Sequence, residues 1–527
     1  MRHFQRPNCP AAVSNEAMAA TSHPLATETA VAVLRDGGNA VDAAIAAAAV
    51  LCLAEPHMTG IGGDCFVLYS PKGGVPVALN GSGRAPAAAT ADWYLERGFR
   101  EIPERSAHAV TVPGAVDAWF RLLGDFGTRE MAALLQPAIR LAEEGCAVAP
   151  RVAFDLTRAC SQVADDPVAG PLFLRGGKPL ALGETMRQPV LAATLRRISK
   201  EGRVGFYEGP VAADMVARLR ACGGLHTLDD FASQRSVYET PISASYAGHE
   251  VYECPPNGQG IVALMMLRTL ARFDPYDAQW TEVDRIHLLA EVTKAAYSDR
   301  DAYVGDPAAN AFDVSRYLSD EYAERTRAAI SLRRSREAPA LEEVEHRDTV
   351  YLAVVDRDGN AISFINSLFA EFGCGIMAPE SGVLFHSRGS IFRVVPRHPN
   401  AIGPRKRPLH TIIPGMLMKN GRAVMPFGVM GGHYQATGHA HYLTRLLRGG
   451  FDPQAAAEAP RGFAYGGVLQ LEPTIDAATA AELERRGHAV VFTEKPLGGC
   501  QAIMIDRERG VLIGGSDPRK DGLASGY

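Results

Sequence analysis

Apolar and polar positions along the chain follow two periods, and the changes of period divide it. From His23 to Ala54 apolar residues recur at helical spacing in an Ala-rich background, interrupted at Gly37-Gly38-Asn39. A glycine pair closes one helix and an asparagine opens the next, so two helices are expected. The apolar run Ala43–Ala54 is 12 residues long, too short for the roughly 20 that a bilayer requires, and reads as a buried helix. Thr59-Gly60-Ile61-Gly62-Gly63-Asp64 follows, then a strand over Cys65–Ser70. Glycines between a buried helix and a strand call for close backbone approach. Their spacing is not G-x-G-x-x-G and they follow a helix, which disfavours a dinucleotide site. Helical patterning fills much of 114–232 (Val116–Phe126, Glu130–Glu144, Val190–Glu201, Pro210–Cys222) and returns at Val262–Phe273 and Glu282–Tyr303.

The pattern changes at 333–348, RRSREAPALEEVEHRD, which is charged, aperiodic and reads as an exposed linker. Thr349–Val355 then turns abruptly β-branched and apolar. Arg357-Asp358-Gly359-Asn360 forms a turn signal and Ala361–Leu368 alternates as a second strand, predicting a hairpin. A charged linker thus runs straight into a core strand that opens with threonine. No fixed-period repeat, heptad or low-complexity tail is present.

Composition narrows the classes. The 527 residues are 47% hydrophobic and 21% charged, which is globular rather than disordered. Lys+Arg number 54 against 59 Asp+Glu, a net charge of −5, with no long basic run. Neither nucleic-acid binding nor membrane insertion is expected. The nine cysteines are scattered, form no C-x-x-C pair and often sit in apolar runs. They read as reduced, buried thiols. The N-terminal segment MRHFQRPNCPAAVSNEA has no apolar core behind its arginines, so no secretory signal is expected and a cytoplasmic location is. There is no H-E-x-x-H, and His433, His439 and His441 have no Cys or carboxylate nearby in sequence. No metal and no other cofactor is called for.

A threonine opening a strand is ordinarily structural. It acquires chemistry if the chain is cut between Asp348 and Thr349, because Thr349 then owns a hydroxyl nucleophile and a free α-amine. An α-amine with a pKa near 8 can take the hydroxyl proton directly or through water. The reaction also needs donors for a tetrahedral oxyanion. Gly428-Val429-Met430-Gly431-Gly432, after a predicted strand Arg422–Phe427, offers unobstructed N–H groups.

At this point the chain resembles the γ-glutamyltransferases (glutathione hydrolases) among the N-terminal nucleophile hydrolases. The shared segments are GGNAVDAAIA at 37–46, MTGIGGD at 58–64, VPGAVDAW at 112–119, PPNGQG at 255–260 and AYSDRDAYVGDP at 296–307. They continue with DTVYLAVVDRDGNAISF at 348–364, FGCGIMAPESGVLF at 372–385, GVMGG at 428–432 and GGSDPRKDGLASGY at 514–527. The resemblance implies an α/β (α+β) fold, a four-layer αββα sandwich made as one precursor that cuts itself. Residues 1–348 would be the large subunit, including the linker, and 349–527 the small one. Thr349 matches the family nucleophile, Gly431 and Gly432 its oxyanion glycines, and Ser367 a supporting hydroxyl.

The substrate-gripping positions depart from the family. Ser82 stands where the family has the arginine that binds the glutamyl α-carboxylate, and Arg84 lies two residues on. Ile391 aligns with the carboxylate that holds the glutamyl ammonium, and Phe369 with an asparagine beside it. His410-Thr411 replaces a serine pair, and Val350 and Tyr351 follow the nucleophile in place of threonine and histidine. An ammonium in such a pocket loses hydration without a compensating charge. Arg84, Arg388, His410 and Thr411 are candidates to hold a small carboxylate instead. GSGRAP, NSLFAEFG and RPLHT resemble the oxamate amidohydrolase branch. The expected activity is hydrolysis of a small carboxylate-bearing amide through an acyl-enzyme, with glutathione hydrolysis or γ-glutamyl transfer as the alternative. A reading of another class is an uncut, inactive binding homologue. The expected partners are the amide and the two subunits of the precursor, with further oligomerisation left open.

Overall fold

The computed structural model describes residues 9–273, 275–336 and 349–527. Most of the expected linker, and Asp348 with it, lies outside the described residues. The sequence-predicted helices are present as Pro24–Arg35, Ala40–Ala54, Ala115–Phe126, Met131–Glu144, Pro189–Glu201, Gly209–Ala221, Gly260–Leu270 and Glu282–Tyr303. The restart at Asn39 is a capping box. Its side chain accepts from the Val41 and Asp42 N–H groups, and Asp42 accepts from the Asn39 N–H in return.

Two seven-stranded sheets form the centre. In one, Leu523–Gly526, Met18–Thr21, Val350–Val355, Ala361–Ser367, Asp64–Ser70, Val77–Gly81 and Val237–Glu239 lie side by side. In the other the order is Ala12–Ser14, Val511–Ser516, Gly499–Asp506, Arg422–Met430, Gly415–Lys419, His249–Glu253 and Ile242–Tyr246. The pairings within both are antiparallel.

Strand alternation assigns the faces. On Val350–Val355, Val350, Leu352 and Val354 join a core with the Ala40–Ala54 and Met131–Glu144 helices. The intervening Tyr351, Ala353 and Val355 meet Met416, Met430 and Ile503 of the second sheet. On its outer face the second sheet packs Leu417, Phe427 and Val429 against the Gly260–Leu270 and Tyr434–Leu447 helices. The result is the expected four layers, αββα.

Two close approaches tie the layers to the linker junction. The Ala361–Ser367 strand follows Val350–Val355 as the predicted hairpin, and Asp356 accepts from Asp358 N and Asn360 N in its turn. Across the sandwich, Gly428 faces the ring of the fully buried Tyr351, where a Cβ would come within 2.3 Å of Cε2. The second sheet's strand runs to Met430, past the predicted end at Phe427, so Gly428 is a strand residue and only Gly431-Gly432 turn. The described start of the expected linker is not all exposed. Ser335 and Arg336 are half-buried, and the Arg336 N–H and Nε donate to the buried Glu291 at 3.1 and 3.2 Å. No helix among the described residues is long and apolar enough to cross a membrane.

Candidate active site

Strand register builds the site's centre. Val350 pairs with Asn366, and Asn366 with Cys65. One residue further along, Thr349, Ser367 and Asp64 stand in a row across three strands, on the face between the sheets. The Thr349 and Ser367 hydroxyl oxygens are 3.0 Å apart, and both residues are buried. The Phe369 N–H donates to Ser367 Oγ at 2.9 Å, which fixes that hydroxyl from its other side. Phe369 does so at φ +78°, a left-handed conformation uncommon for a bulky residue. The glycine run supplies the close approach its composition requires. A Cβ on Gly63 would lie 2.3 Å from the Ser367 carbonyl oxygen.

A buried charged group occupies the next position in the row. Asp64 accepts from the Gly83 N–H at 2.9 Å and from His410 Nε2 at 3.0 Å; His386 Nδ1 lies 3.4 Å away and Arg388 Nε 3.9 Å away. All four side chains are fully buried. Burial alone raises a carboxyl pKa, but His386, His410 and Arg388 outweigh it and hold Asp64 down at about 2. Burial and the Arg388 charge lower His410 to about 3, against the pull of Asp64, so it is neutral at pH 7. Its Nδ1 accepts from Ile412 N at 3.4 Å. Both ring nitrogens are therefore engaged within the protein. Arg388 lies with its guanidinium carbon 4.1 Å from the Phe369 ring centroid and donates to Thr411 Oγ1 at 2.7 Å.

The Gly431-Gly432 turn, with φ of +115° and +55°, leads into the Tyr434–Leu447 helix. The Gly431 carbonyl accepts from Tyr434 N at 2.9 Å. In a trans peptide the C=O and N–H point opposite ways, so the Gly432 N–H is turned away from the helix. The positive end of the helix dipole adds to a field that favours an anion there. Gln259 Nε2 donates to the Thr411 carbonyl at 2.8 Å and the Gly432 carbonyl at 3.1 Å. Thr349, Ser367, Phe369, Arg388, Thr411 and Gly432 are thereby joined in one chain of contacts. A hydroxyl with a hydrogen-bonded partner, a glycine turn at a helix start and a buried guanidinium together suit acyl transfer.

The description of the γ-glutamyltranspeptidase family matches residues 26–527. The chain belongs to that family. It is 37% identical over 526 residues to the glutathione hydrolase-like YwrD proenzyme of Bacillus subtilis, covering 98% of this chain and 99% of the relative. It is 35% identical to the oxamate amidohydrolase proenzyme of Klebsiella pneumoniae, covering 98% and 99%. Among solved structures, a cephalosporin acylase from Bacillus halodurans superimposes with a TM-score of 0.93 at 39% identity, covering 100% of this chain and 98% of that one. The chain is thus an enzyme, a hydrolase of the γ-glutamyltranspeptidase type with an N-terminal nucleophile fold.

Of the sequence-predicted residues, Thr349, Ser367, Gly431, Gly432, Thr411, Arg388 and His410 lie in this group or one contact from it. Arg84 does not. Its side chain is a third exposed, donates to the Arg405 carbonyl at 3.0 Å and lies 3.9 Å from Asp306. Asp64, His386 and Gln259 were not singled out by sequence, although each is a polar residue in or beside a glycine-rich family segment. His439 finds a carboxylate partner far away in sequence, donating from Nδ1 to Glu253 at 2.7 Å across 186 residues. This remains a pair, and among the described residues no group of three or more His, Cys, Asp or Glu is arranged so that it could hold a metal ion.

Proposed function

We propose that this enzyme is a self-processing amidohydrolase that cuts itself before Thr349 and then hydrolyses a small amide carrying a carboxylate close to the scissile carbonyl. The observation that carries the reading is the 3.0 Å contact between the Thr349 and Ser367 hydroxyls at the start of a central strand. In processing, Thr349 Oγ attacks the Asp348 carbonyl carbon and the C–N bond breaks as an ester forms. The α-amine is freed as that C–N bond breaks, and water then hydrolyses the ester to release the Asp348 carboxylate and the Thr349 hydroxyl. In turnover that amine takes the proton of Oγ as Oγ attacks the substrate carbonyl, and delivers it to the departing nitrogen. The Gly431 and Gly432 N–H groups stabilise the oxyanion, and water resolves the acyl ester with the amine again as base.

The buried Arg388, one residue's contact from Ser367, supports a carboxylate on a short acyl group. The names of the oxamate amidohydrolase and cephalosporin acylase relatives support acyl groups other than γ-glutamyl. Apolar Ile391 and Phe369, at positions where the family holds a glutamyl ammonium, argue the same way. The test is intact mass and N-terminal sequencing of the purified protein beside Thr349→Ala, then kcat/KM on oxamate and on glutathione. Two chains, one starting Thr-Val-Tyr-Leu and missing from the variant, with turnover favouring oxamate, are expected. Faster turnover of glutathione would assign the γ-glutamyl activity instead. A chain that stays whole would make it a binding homologue.

A further inference from the structure

We propose that Arg300 is a positioning residue for the oxyanion turn, acting through Gln259 and His433 without touching substrate. The inference rests on the reading that Gly431 and Gly432 receive the oxyanion.

Arg300 lies on the Glu282–Tyr303 helix with 1% of its surface exposed. Its Nη1 donates to Gln259 Oε1 at 2.8 Å and to His433 Nδ1 at 3.0 Å; Nη2 donates to the Tyr465 hydroxyl at 3.2 Å and Nε to Asp301 at 2.7 Å. The guanidinium also stacks 4.3 Å above the ring of Tyr297, whose hydroxyl donates to the His433 carbonyl. Both the side chain and the backbone of the residue after Gly432 are therefore held by Arg300 and its stacking partner.

Gln259 makes the arrangement directional. Its amide meets three fixed groups: a guanidinium, which only donates, and the Thr411 and Gly432 carbonyls, which only accept. A single orientation satisfies all three, with Oε1 toward Arg300 and both N–H groups toward the carbonyls. Without the guanidinium, Oε1 loses its donor, and the two carbonyls, which repel Oε1 in the flipped amide, are left alone to hold the orientation. Gly432 is pinned on both sides in the observed state. The peptide before it is held by Tyr434 N and the peptide after it by Gln259. Glycine at φ +55° has wide conformational freedom, so this turn needs such restraint to keep an N–H aimed. Misplacing a reacting group by about 1 Å can lower a rate by about a hundredfold.

The test compares the wild type with Arg300→Met, Gln259→Met and the double variant in the self-processed enzyme, on whichever amide the wild type turns over best. We expect each single variant to lower kcat by about ten- to a hundredfold with KM within about twofold, since ground-state binding is untouched. The double variant should lose less than the product of the two single losses, because both variants break the Gln259 branch and only Arg300→Met also breaks the His433 branch. Self-cleavage, followed as a first-order rate on fresh precursor, should slow in parallel. A folded variant that does not cleave counts as the extreme of that effect. Unchanged kcat, a rise in KM alone, or multiplying losses in the double variant would overturn the proposal. If Arg300→Met does not fold, Gln259→Met alone decides by its kcat and KM. Thr349→Ala runs alongside: turnover by that variant would refute the nucleophile reading without bearing on Arg300.

Discussion

Replacing Asp64 by asparagine keeps the volume of the side chain and removes one of two opposed, fully buried charges. Asp64 Oδ2 and Arg388 Nε are 3.9 Å apart. At an effective dielectric constant of about 20, two unit charges at that distance attract by about 4 kcal/mol. Removing one partner of a buried pair typically costs about 3–5 kcal/mol, because the other charge is left uncompensated. Asp64→Asn should therefore destabilise the fold by about 3–5 kcal/mol at pH 7. The measurement is urea denaturation in a Thr349→Ala background, where one covalent chain unfolds, with the m-value checked for constancy. Arg388→Met and the double variant complete a cycle, and the double variant should cost at least about 2 kcal/mol less than the sum of the singles. A loss under about 1 kcal/mol for Asp64→Asn, or additive singles, would refute the claim that these two charges hold one another.

Two further predictions concern packing and protons. Gly428→Ala puts a Cβ 2.3 Å from the Tyr351 ring, whose hydroxyl is fixed 2.8 Å from Ser363 Oγ, so the same denaturation assay should show a loss of about 1–3 kcal/mol; an unchanged midpoint would mean that the sheets part freely there. Burial lowers His226 to about 4, His410 to about 3 and His488 to about 3; because the unfolded chain protonates them near 6.5, the stability from keeping them neutral is full above pH 6.5 and lost as pH falls toward 4 and then 3, at about 1 kcal/mol per pH unit for each group. Unfolding midpoints that stay level from pH 7 to pH 5 would show that these histidines are not held neutral.

Much of the architecture was legible because it is written in local pattern. The Gly37-Gly38-Asn39 break, the hairpin about Gly359 and the apolar strand after Thr349 each need only neighbours in sequence to be read. The glycine run at 60–63 announced a close approach, and Gly63 against the Ser367 carbonyl is that approach. The charged interior of the site was not legible in the same way. Asp64 and His410 stand 346 residues apart, and their pairing depends on sheet register and on the meeting of distant loops. A lone Asp after four glycine-rich positions has no periodicity to mark it as buried. Gln259 and Arg300 are hidden for the same reason, since a buried polar residue shows its purpose only when its partners are known. Arg84 and Arg388 look equally suitable by charge, and only burial distinguishes them.

The order of strands bears on what a cut chain can do. In one sheet the segments run small, large, small, small, large, large, large for a cut before Thr349; in the other they run large, small, small, small, small, large, large. Neither product would possess a complete sheet. The Met18–Thr21 strand is bonded on one side to Leu523–Gly526 and on the other to Val350–Val355, so the longer piece is threaded through the shorter. Halves made and folded apart are therefore expected not to recombine into this body. Parting them means melting the whole body, and the two new chain ends would inherit the cooperativity of the unbroken polypeptide.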